Sequence, residues 1–152
     1  MELIEPLWTT AHDIKLRLMV IIVLANMFLA LRLYGLMAKA RFKAAKEGRV
    51  TVDTYRATQN EPEDVAVFNR AVVNQFESPV FFYAIIAIGL ALGVTSWITV
   101  VLAAVYVIFR WMHGLEMVGE HKVLKRRKLF INGFYALIAL KVDLFLSTML
   151  WA

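Results

Sequence analysis

Four apolar stretches, near residues 18–38, 71–94, 97–118 and 129–151, constrain this chain of 152 residues more than any other feature. Each is long enough to cross a hydrocarbon core, which takes about 20 helical residues. The sequence is 61% hydrophobic and its mean hydropathy is positive, too apolar for a soluble domain of this length. The first stretch carries Asn26 and Arg32 and is followed by further Lys and Arg. It is therefore expected as an uncleaved span and not as a signal peptide. The expected fold is an all-α integral membrane protein, a four-transmembrane-helix up-and-down bundle forming a single domain over 1–152. Only the segment 39–66 is both polar and extended, and neither an internal repeat nor a low-complexity tract is present. Absence of cysteine excludes disulfides and thiolate metal sites. His12, His113 and His121 are too dispersed along the chain to argue for a metal.

Charge orients the bundle. The first loop holds Lys39, Arg41, Lys43, Lys46, Arg49 and Arg56, and the third holds Lys122, Lys125, Arg126, Arg127 and Lys128. Near the opposite side stand Lys15 and Arg17, and the second connection, residues 93–97, carries no charge. By the positive-inside rule, loops one and three are expected in the cytoplasm and both termini on the other side. Trp8, Trp97 and Trp151 would then mark the outer interface as an aromatic belt. The basic loops lie beside the bilayer and attract anionic headgroups, so membrane lipids are expected partners and nucleic acid is not.

The chemistry concentrates at the mouth of the second span, where Arg70, Asn74 and Glu77 precede Pro79. At about 100° per residue the three side chains stay within roughly 60° of one helical face. Ionisable groups entering a membrane helix are costly and normally face a bundle interior or a wet cavity. With a rise of about 1.5 Å per residue, Arg32 lies roughly 10 Å inside the first span and Glu77 about 10 Å beyond Arg70. Arg110 and His113 stand about 13 and 9 Å above the end of the third span by the same arithmetic. Three helices thus bring polar groups to one level, which predicts a cationic pocket with one carboxylate, open to the cytoplasm. The equal depth of Arg32 and Glu77 also predicts an ion pair, within a subunit or across an interface. Taken singly, Arg32 or Arg110 is equally served by a structural ion pair, and His113 by a packing role. Pro79 removes a helix N–H and predicts a kink or wet cavity near Gln75. Lys141 and Asp143, in the outer half of the fourth span, read as structural or snorkelling groups.

These residues resemble the membrane-associated proteins in eicosanoid and glutathione metabolism, the MAPEG family. The family's second helix carries Arg-Ala-x-x-Asn-x-x-Glu followed closely by Pro, matched here by Arg70, Ala71, Asn74, Glu77 and Pro79. Arg110 and His113 resemble its third helix, and Arg126 or Arg127 stands where the family places a catalytic arginine. Arg32-Leu-Tyr34 is similar to the family's Lys-x-Tyr, and Arg41 to an arginine just beyond it. The resemblance implies a homotrimer that binds glutathione as cosubstrate between subunits, together with a lipophilic small-molecule substrate from the bilayer. It implies Arg126, with Arg127 as runner-up, as the catalytic residue beside the thiol. Arg41, Arg70, Asn74, Glu77, Arg110 and His113 are implied as glutathione ligands. The chain departs from the pattern in several places, with Val72 and Val73 filling positions that are polar in some relatives. Arg127 replaces a serine, and Met117 and Phe130 stand where characterised relatives have tyrosines. Two alternatives stay open: a noncatalytic member binding lipid or glutathione, and a small four-span transporter subunit.

Overall fold

The computed structural model describes residues 11–57, 60–120 and 122–151. Trp8 and His121 lie outside them, as do the side chains of His12 and Trp151. Six α-helices are joined by short connections: α1 (Ala11–Lys46), α2 (Val52–Ala57), α3 (Glu63–Val73), α4 (Ser78–Ala91), α5 (Trp97–Val118) and α6 (Val123–Trp151). There is no strand among the described residues. Among the described residues, four segments are long and apolar enough to cross a membrane: Ile14–Lys46, Glu63–Ala91, Trp97–Val118 and Val123–Leu150. The chain is a multi-pass integral membrane protein.

α1 continues past the expected boundary at 38 to Lys46. Its 36 residues reach about 54 Å at 1.5 Å each, well beyond a core of about 30 Å. Its last turns therefore stand clear of the membrane, and α2 folds within the polar segment that follows. The second apolar segment is not one helix. α3 ends at Val73, a 3-10 turn covers Asn74–Phe76, and the backbone leaves helical geometry at Glu77 (φ −94°, ψ −102°) before α4 begins. Pro79 sits in the first turn of α4, where its missing N–H costs nothing. Buried Gln75 offsets the break by donating its side-chain amide to the Ala71 carbonyl at 3.3 Å.

One end of the bundle is fixed by long-range contacts. Lys15 donates to the Thr95 carbonyl at 3.1 Å, placing the start of α1 beside the α4–α5 connection. Ser96 caps α5: its hydroxyl accepts from the Thr99 N–H, while the Thr99 hydroxyl accepts from the Ser96 N–H. Thr99 also donates to Asp143 of α6 at 2.6 Å, which gives that intramembrane carboxylate a structural partner. Toward this end the core packs Met19, Phe82, Ile86, Ala103, Tyr106 and Leu140, and toward the other end Leu29, Leu33, Ala71, Val72 and Met117. Small residues allow the close approaches. A Cβ on Gly133 would stand 3.3 Å from the Phe109 Cβ, and one on Gly114 would stand 3.4 Å from Leu29.

Candidate functional site

The interruption between α3 and α4 exposes hydrogen-bonding groups that a continuous helix would hide. Asn74 begins the 3-10 turn and donates its side-chain amide to Glu77 at 2.8 Å. Its side-chain and main-chain oxygens both accept from Arg110 Nη2 of α5, at 2.9 and 3.0 Å. Arg110 is buried, and its guanidinium fixes the interruption against the third span. One turn further along α5, His113 Nδ1 lies 3.1 Å from the Arg126 carbonyl oxygen. A carbonyl only accepts, so Nδ1 carries a proton and donates in this contact. The His113 ring also packs on Phe130 with centroids 5.5 Å apart.

Two adjoining cavities open here. The larger, about 540 Å³, is lined by Glu63, Asp64, Val67, Arg70, Val123 and Arg126. A smaller one, about 250 Å³, lies among Asn74, His113, Met117, Val123, Arg126, Arg127 and Phe130. Val123 and Arg126 border both. Arg126 is half-buried and Arg127 exposed, as expected for neighbours on a helix pointing about 100° apart.

Most of the residues singled out in the sequence converge on this place, by different routes. Arg70, Asn74, His113, Arg126 and Arg127 line the cavities. Arg110 and Glu77 reach them through Asn74. Arg41 does not: its guanidinium pairs with Glu61 at 2.8 and 3.4 Å and lies over the Tyr55 ring, 5.1 Å from its centroid. There it ties the end of α1 to the polar segment. Arg32 and Glu77 are both exposed and form no ion pair with each other within the chain. Three carboxylates were missed by sequence reasoning. Glu63 pairs with Arg70, both Asp64 carboxylate oxygens accept from Arg49 Nη1 at 3.0 Å, and buried Glu116 pairs with Lys125 at 2.6 Å. Only the first left a signal, since residues seven apart share a helical face. Outside the spans, the exposed Glu120–Lys122 pair, 2.7 Å apart, holds the Glu120 carboxyl below the usual range and raises the Lys122 ammonium.

The family model of the MAPEG family matches residues 17–146. This chain belongs to the MAPEG family. No curated protein and no solved structure matches it. MAPEG membership accounts for four membrane-crossing segments in this order and ties the protein to glutathione- and eicosanoid-related chemistry in general. It also replaces the four-span transporter alternative.

Proposed function

We propose that this MAPEG protein is a glutathione-dependent transferase, peroxidase or isomerase acting on a lipophilic electrophile or hydroperoxide. The observation that carries the reading is the sharing of Arg126 by two cavities of complementary character. One offers a guanidinium and two carboxylates, the other an imidazole, an amide and apolar walls. The residues fit the ligand. Glutathione has two carboxylates, an ammonium and a thiol, and the combined space is in the range of small-molecule sites, about 300–1,000 Å³. Arg70 takes a carboxylate through a forked, charge-assisted contact. In doing so it releases Glu63, which with Asp64 is then available to the ammonium. Asn74 donates and accepts at the junction, while Arg110 and Glu77 hold its amide in place.

Arg126 stabilises the thiolate. A neighbouring cation lowers a thiol pKa from about 8.5 toward neutrality, and the displaced proton leaves through the open mouth of the cavity. His113, anchored through Nδ1, keeps Nε2 toward the sulfur side. Arg41 is a further ligand only after exchanging Glu61 for a ligand carboxylate. The protein assembles as a homotrimer with loops one and three in the cytoplasm and the termini opposite. The lipophilic substrate arrives from the bilayer, which accounts for placing this chemistry on membrane helices.

A noncatalytic binding role is the second reading, favoured by Met117 and Phe130. Neither side chain carries a hydroxyl to donate to a thiolate. Ultraviolet absorbance at about 240 nm, where thiolates absorb, separates the two readings when glutathione is added below the free thiol pKa of about 8.5. Catalysis expects a thiolate signal on binding. Binding without it replaces the catalytic reading with the second one.

A further inference from the structure

Glu116 lines neither cavity, yet its side chain is only 6% exposed, and a buried carboxylate needs partners. It finds two, both at the start of α6. One oxygen accepts the Lys122 N–H at 3.2 Å and the other meets Lys125 Nζ at 2.6 Å. A carboxylate at a helix N-terminus is also favoured by the exposed N–H groups and the dipole there. Three residues earlier on the same face of α5, His113 holds the Arg126 carbonyl. The connection between the helices is short and turns at Gly119, where a Cβ would come within 2.9 Å of the Leu115 carbonyl oxygen. These side-chain ties from α5 therefore decide how the first turn of α6 is rotated. Rotation matters because adjacent residues differ by about 100°. A slip of one residue would exchange Arg126 for Arg127 at the shared wall of the cavities.

We propose that Glu116 is a positioning residue, which fixes the rotation of the first turn of α6 so that Arg126 faces both cavities. The assignment rests on the glutathione reading for its chemical consequence. It is tested on the full-length protein in detergent, by titrating bound glutathione with pH and following thiolate absorbance. Glu116→Leu removes both ties. It should still bind glutathione, but with the ionisation midpoint of the bound thiol raised by about one pH unit or more, about a tenfold loss of thiolate. Glu116→Gln retains an amide oxygen for the Lys122 N–H and should recover a large part of that shift. An unchanged midpoint in folded Glu116→Leu, or a Glu116→Gln as impaired as Glu116→Leu, overturns the assignment. Should Glu116→Leu fail to assemble, Lys125→Met decides: like Glu116→Gln it breaks the ion pair and leaves the N–H tie, so both should raise the midpoint by the same small amount. A raised midpoint supports the role and an unchanged one overturns it. A wild type that binds glutathione with no thiolate signal instead overturns the catalytic reading itself, and the positioning role falls with it.

Discussion

The paired arginines at the start of α6 differ in surroundings, although their sequence neighbourhood is the same. Arg126 is half-buried on the wall of both cavities, whereas exposed Arg127 borders only the smaller. Arg126→Ala is therefore expected to abolish the thiolate signal on glutathione binding, and Arg127→Ala to spare it. The reverse result would move the chemistry to Arg127. Arg70 presents a different balance. Its partner Glu63 is mostly exposed, and exposed pairs contribute about 0–1 kcal/mol, so a ligand carboxylate can displace it. Arg70→Ala should weaken glutathione binding by about 1.5–3 kcal/mol, the scale of a charge-assisted hydrogen bond, with little change in stability. Calorimetric titration would check the affinity, and an unchanged value in a folded protein would remove Arg70 from the site.

Several ties of this bundle lie at the ends of its elements. Arg41 clamps α1 to the polar segment through Glu61, whose side chain is 7% exposed. Removing the arginine strands a nearly buried carboxylate, so Arg41→Ala should cost about 1.5–3 kcal/mol. The loss should be read as a lower unfolding midpoint in detergent, and a double change with Glu61→Gln should recover part of it. Strictly additive losses would show that the clamp is not stabilising. At the other end, Ser96→Ala removes the α5 cap and is expected to cost about 1 kcal/mol. No change in thermal stability would mean that Thr99 and Asp143 hold the start of α5 without it. The division of the second span into α3 and α4 is the element-level feature with the largest effect on the site. It turns Asn74 and Glu77 from members of a helical stripe into hydrogen-bonding partners at a break.

At the scale of the whole molecule, Arg32 and Glu77 remain exposed on a single chain. Arg32 stands on a stretch of α1 that also exposes Phe28, Leu31 and Tyr34, and a lone charge at such depth is costly in lipid. A pairing between neighbouring copies would relieve both charges. Arg32→Leu should then weaken the assembly more than Arg32→Leu combined with Glu77→Gln, because the double variant strands no charge. A double-mutant cycle on dissociation of the proposed trimer measures the coupling, and additive losses would dismiss the pairing. By itself the sequence determined the membrane class and the four apolar segments. Those follow from hydropathy and rise per residue, which are local properties. It also carried the family motif from Arg70 to Pro79. Which charge meets which was decided only by tertiary structure. In a chain with 17 basic and 12 acidic residues, many pairings are compatible with sequence order. Distances between separate elements select Glu61 for Arg41 and Lys125 for Glu116. An interruption near Gln75 was legible from Pro79, but its form was not, because Pro79 permits a kink, a bend or a new helix start with equal local ease. Contact between Arg110 and Asn74, remote in sequence and adjacent in space, accompanies the new start that the fold adopts.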